Sequence, residues 1–186
     1  GRECLVDRSQ YPKIVDRVSE AVENNFNISD EPNEERIAWV EFIKNVPDHM
    51  YQKDRAKVLY FVGCVASFFP LVQKIPQAFV QILDKGEVDF ATLGGEEWCC
   101  GFPLIQMGMP DKMQKLIDHN REKAQKLGAE TVVFACPSCY HTWKENYKID
   151  AEMLHSTQYM ERLIGEGKIK FNKGFNKIVT YHDPCD

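Results

Sequence analysis

Five of the seven cysteines in this 186-residue chain form a pattern: Cys64 alone, the adjacent pair Cys99-Cys100 followed by Gly101, and Cys136-Pro137-Ser138-Cys139. Thirty-four residues separate Cys64 from Cys99, and thirty-five separate Cys100 from Cys136. Each gap is about long enough for one helix and one strand, the size of a crossover unit. Loops spaced that way can meet at one edge of a sheet and bring five thiolates to one point. Thiolates are the usual holders of iron–sulfur clusters. An isolated CxxC is a weaker signal, shared with zinc and thioredoxin-like sites. Five sulfurs also exceed the four of a closed tetrahedral zinc site. The pattern points to an iron–sulfur site. Zinc on four thiolates, and thiol–disulfide chemistry at Cys136 and Cys139, stay open beside it.

The elements that must position these cysteines are legible around them. Lys57–Val62 reads as a short β-branched and aromatic strand ending at Gly63, with Cys64 next. Leu71–Leu83 has helical character, with Pro76 marking an irregularity or a late start, and Gly86 closes it. Val88–Leu93 is a second strand, and Gly94-Gly95 leads through Trp98 to the cysteine pair. Gly101 suits backbone that must approach a bulky ligand. Pro110-Asp111 opens the clearest helix, with Met113, Leu116, Ile117, Ala124 and Leu127 as its core stripe and Gly128 as its stop. Thr131–Ala135 is a third strand running straight into the CxxC. A helix over about Tyr140–Tyr147, a weak strand at Ala151–Leu154 and a helix from a Ser156 cap to Gly165 follow. Ile178–Tyr181 reads as a last strand before His182-Asp183-Pro184-Cys185. Strands alternating with helices predict a parallel α/β sheet, in which ligands gather beyond the carboxyl ends of the strands. The cysteines sit at those ends.

Residues 1–50 read as helical and peripheral: Ile14, Val15, Val18, Ala21 and Val22 in one helix, and about Asn33–Asn45 in a second, ended by Val46-Pro47-Asp48. Cys4 is isolated there and reads as a buried or terminal thiol. His141 is a surface or capping group before it is a proton donor, and His182 serves structure or orients a ligand. Trp98 and Phe102, flanking the pair, shield a cluster or fill the core. Composition is that of a globular domain, with 44% apolar and 27% charged residues. A net charge of −5 without a basic cluster gives no nucleic-acid footprint, and no apolar run is long enough to span a membrane. Adjacent Cα atoms lie about 3.8 Å apart, so a Cys99–Cys100 disulfide would be strained.

These motifs resemble the cysteine-rich CCG domain of heterodisulfide reductases. Related domains occur in the iron–sulfur subunits of lactate, glycolate and glycerol-3-phosphate oxidoreductases, and in a membrane-complex subunit of sulfate-reducing organisms. The likeness runs from about Asn33 to Cys185, and Glu31–Arg36 is similar to the link after a ferredoxin module in D-type subunits. The resemblance implies a Rossmann-like CCG domain over 51–176, after an N-terminal helical segment over 1–50. It also implies the truncated start of a second CCG domain over 177–186, with Cys185 as first ligand of an incomplete second site. It implies a non-cubane [4Fe–4S] cluster on Cys64, Cys99, Cys100, Cys136 and Cys139, for electron transfer or disulfide (thiol) redox chemistry. The implied partners are a flavoprotein or a membrane cytochrome subunit, with a disulfide or small molecule as substrate, in the cytoplasm or peripheral to a membrane complex. No second CCG pair, second CxxC or CxxCxxC motif occurs in the 186 residues. The expectation is therefore one cluster site on a fragment, or on a subunit that needs partners.

Overall fold

The computed structural model describes residues 1–43 and 53–182. Four parallel strands make one sheet, in the order β2-β1-β3-β4. They are β1 (Val58–Phe61), β2 (Phe90–Ala91), β3 (Thr131–Phe134) and β4 (Glu152–His155). Register is fixed by pairs such as Leu59 with Ala91 and Val132, and Val133 with Leu154. β1 and β3 are buried at every position, as continuous apolar runs in a sheet covered on both faces should be.

Helices cover the two faces. The helices of the N-terminal half are α1 (Arg2–Asp7), α2 (Ile14–Asn25), α3 (Cys64–Phe68) and α4 (Lys74–Lys85). Those of the C-terminal half are α5 (Phe102–Met107), α6 (Gln114–Leu127), α7 (Pro137–Asn146) and α8 (Ser156–Gly165). Leu59, Phe61, Val132 and Phe134 face α6 and α7, packing with Leu116, Ala124 and Trp143. Val58, Tyr60, Val62 and Val133 face α4 and α8, packing with Phe79, Leu83 and Leu163. Cys64, Cys99, Cys100 and Cys139 belong to the first of these cores. β1 leads outward to β2 and β3 leads the other way to β4, so the order reverses between β1 and β3. That is the crevice where open α/β sheets place ligands.

Several expected elements are shifted. Helix α4 begins at Lys74, which puts Pro76 in the first turn, where its missing N–H costs nothing. The helix expected from Pro110 opens as a 3₁₀ turn at Pro110–Met113 before α6. α7 begins at Pro137, inside the CxxC, and α3 begins at Cys64 itself. His155, not Ser156, caps α8: its ring accepts from Thr157 N–H while the Gln158 side chain accepts from His155 N–H. Asn33–Phe42 is a 3₁₀ helix, and the stop at Val46-Pro47-Asp48 lies outside the described residues. Ile178–Tyr181 is not a strand. Ile178, Val179 and Tyr181 are exposed, and among the described residues nothing pairs with them. Cys4 is exposed in α1, not buried, and Cys185 lies outside the described residues.

Candidate cysteine-cluster site

Three chain segments deliver the sulfurs. β1 runs through Val62 and Gly63 into Cys64, which opens α3; β3 runs through Ala135 into Cys136, which caps α7. The loop after β2 turns through 3₁₀ residues Gly94–Glu96 to Cys99 and Cys100, and Gly101 caps α5. All five sulfur residues line one open cavity of about 300 Å³, whose remaining walls include Ile28, Val65, Ala66, Phe102 and Pro103. No charged side chain lines it. Phe102 is thus a wall, whereas Trp98 is not. Trp98 stacks between Phe26 (3.7 Å) and His119 (3.5 Å) and holds the loop from behind. His141 and His182 are exposed and stand outside the cavity.

Gly63 makes the approach of the first and third segments possible. Its φ of +81° with ψ of 157° is a region side chains avoid, and a Cβ there would sit 3.2 Å from Cys139 Sγ. Gly101, with φ of +92°, serves packing instead of ligand access: a Cβ there would meet Met113 Cε at 2.7 Å. The loop carrying the cysteine pair is held by Asn120, whose Oδ1 accepts from Trp98 N–H at 3.0 Å. Its Nδ2 donates to Trp98 O, Cys99 O and Tyr147 Oη, and the Tyr147 hydroxyl donates to Cys100 O at 3.1 Å.

The sulfurs form a continuous series of contacts, Cys64–Cys99–Cys100–Cys139–Cys136. Within it protons are unevenly shared. Contact with Cys139 draws Cys100 below the ordinary thiol range and Cys136 to about 6, and pushes Cys139 well up. Backbone N–H groups of Ser138 and Cys139, at the start of α7, add to the effect on Cys136. Contact with Cys100 pushes Cys99 up; contact with Cys99 and burial push Cys64 up.

Sequence reasoning missed a buried ion pair beside these thiols. Arg36 and Glu97 are each 1% exposed and lie 3.1 Å apart. Glu97 accepts from the N–H groups of Val62 and Gly63, both at 2.8 Å, which ties the cysteine-pair loop to the end of β1. Arg36 donates to Asn33 Oδ1, Glu97, Phe26 O and, at 3.5 Å, to Cys64 Sγ. Phe26 O also accepts from Cys99 N–H at 2.7 Å. The segment expected to be peripheral therefore forms part of the site.

The donor set suits a polynuclear group. Among the described residues no three His, Cys, Asp or Glu side chains are arranged around a single metal ion. The five sulfur residues line one cavity, in contact with one another in series. A cluster divides its thiolates among several metal atoms.

Fold and site together define a cysteine-rich parallel α/β domain, and comparison with known proteins agrees. Residues 58–144 match the family described as the CCG cysteine-rich domain, and the chain belongs to that family. It is 36% identical over 96% of its length to the D-type subunit of the dihydromethanophenazine:CoB–CoM heterodisulfide reductase of Methanosarcina barkeri, and 34% identical to that of Methanosarcina mazei. It covers 42% of each relative. An EtfAB:quinone oxidoreductase of Syntrophomonas wolfei is 33% identical over 68% of this chain and 18% of that protein. The chain thus spans about two fifths of the length of the heterodisulfide reductase relatives. No solved structure matches it.

Proposed function

We propose that the chain is an iron–sulfur domain of a heterodisulfide-reductase-like oxidoreductase. Cys64, Cys99, Cys100, Cys136 and Cys139 hold a non-cubane [4Fe–4S] cluster in it. The observation that carries this is the set of five thiols on one apolar-walled cavity at the switch crevice of the sheet. Relatives named as heterodisulfide reductase and quinone oxidoreductase support the class. When bound, the cluster supplies one-electron transfer and an iron site for a thiol or disulfide sulfur. The protein's own part is positional. Glu97 fixes the backbone entering Cys64, and Asn120 and Tyr147 fix the backbone of the cysteine pair. Ile28, Val65, Phe102 and Pro103 give the cavity apolar walls.

Electrons enter or leave through partner subunits, a flavoprotein or a membrane cytochrome, in the cytoplasm or against a membrane complex. Among the described residues no helix is long and apolar enough to cross a membrane. In this reading residues 51–176 are one CCG domain after the helical segment 1–50, and 177–186 open a second, with Cys185 as its first ligand. The test is iron, sulfide and zinc content, with the visible spectrum, of protein purified without oxygen. About four irons with matching sulfide, lost when Cys99 and Cys100 are both replaced by serine, is the expected result. One zinc per chain with no iron after anaerobic reconstitution overturns it.

A further inference from the structure

The guanidinium of Arg36 has an unusual position for a group that could serve folding alone. It is 1% exposed, permanently charged, and donates through Nη2 to the sulfur of Cys64 at 3.5 Å. Its counter-ion, Glu97, is engaged by three donors: the N–H groups of Val62 and Gly63, and Arg36 Nη1. Negative charge is thereby spread toward the backbone, while one edge of the cation is left against sulfur. The Phe68 ring, 5.2 Å from the guanidinium carbon, covers part of its face and adds to its exclusion from water. Screening by salt is weak for a charge so placed. Arg36 also comes from Asn33–Phe42, outside the matched residues 58–144. The cysteine-rich domain thus receives this charge from the segment before it.

We infer that Arg36 is a positioning residue that holds Cys64 and raises the reduction potential of the bound cluster. The inference rests on the cluster reading above. Charge and hydrogen bonds at the sulfurs are the levers by which a protein sets such potentials. A cation donating to a ligand sulfur favours the reduced, more negative state. Glu97 is the second half of the device: it neutralises Arg36 for burial and aims it.

The test is a redox titration, by visible absorption, of the anaerobically reconstituted chain against the double variant Arg36→Gln with Glu97→Gln. Removing both members leaves no lone buried charge. The expected result, read on the iron-loaded fraction, is a midpoint lowered about tenfold in the redox equilibrium, about 59 mV for a one-electron couple. Arg36→Lys, which keeps charge but not the fork, is expected to lower it by less. A folded, iron-loaded double variant with the wild-type midpoint overturns the inference alone. A wild-type chain that takes up no iron overturns the cluster reading, and the potential with it. If the double variant does not fold, a denaturation cycle of Arg36→Lys against Cys64→Ser in the metal-free chain reads the same contact. Coupling of threefold or more in the unfolding constant supports the assignment; none overturns it.

Discussion

Replacing Gly63 with alanine tests how closely the site depends on two segments touching. The backbone there, at φ +81° and ψ 157°, costs a side-chain-bearing residue about 1–3 kcal/mol. The new methyl would lie 3.2 Å from Cys139 Sγ and 3.8 Å from Cys136 Cβ. Cys139 is buried and in contact with Cys100 and Cys136, so its sulfur cannot retreat without displacing both. Crowding of a packed core adds about 1 kcal/mol. The expected loss is therefore about 2–4 kcal/mol, or roughly 5–15 °C in Tm for a chain of this size. Gly128→Ala is the control. Its φ is +76° but nothing lies within 4 Å of the added carbon, so strain alone acts there, about 1–2 kcal/mol. Thermal denaturation of the metal-free proteins gives the stabilities, and anaerobic reconstitution gives iron per chain. Gly63→Ala should lose more stability than the control and also lose iron, whereas Gly128→Ala should load normally. Equal losses in the two variants, with equal iron, would refute the claim that Gly63 is required for close approach of the thiols.

Three further outcomes follow from the same geometry. Asn120→Ala strips partners from Trp98 N–H, the carbonyls of Trp98 and Cys99, and the Tyr147 hydroxyl, and should cost about 3 kcal/mol in urea denaturation; a loss under about 1 kcal/mol would show that the loop is held otherwise. Tyr60 Oη is buried without a hydrogen-bond partner among the described residues, so Tyr60→Phe should leave stability unchanged or raise it by up to about 1 kcal/mol, and a clear drop in Tm would contradict this. In metal-free protein the half-buried Cys136, drawn down to about 6 by Cys139 and local N–H groups, should be alkylated by iodoacetamide at a rate that is level above pH 7 and falls as pH drops through about 6. Because folding lowers this value from the ordinary thiol range near 9, the stabilisation it brings is full above about pH 9 and is lost as pH falls from there to about 6. A site-resolved rate still climbing between pH 8 and 9 would contradict the assignment.

The placement of the cysteines was legible because it depends on local pattern. β1 and β3 are short runs of β-branched and aromatic residues that end just short of Cys64 and Cys136, and strands alternating with helices make a parallel sheet with those ends together. The same local rules misled where a partner was needed. Ile178–Tyr181 has strand composition, yet composition does not supply a neighbour to pair with, and among the described residues it has none. The Arg36–Glu97 pair was beyond reach for a related reason. Sixty residues lie between them in the chain, each looks like an ordinary surface charge in its own window, and burial is a property of the packed molecule. Only tertiary structure decides that this cation faces Cys64, that Asn120 holds the cysteine pair, and that the five sulfur residues share one apolar-walled cavity. Sequence by itself determined which residues could bind and at which edge of the sheet. Long-range packing determined the charges and hydrogen bonds around them, because these depend on distances that no local spacing encodes.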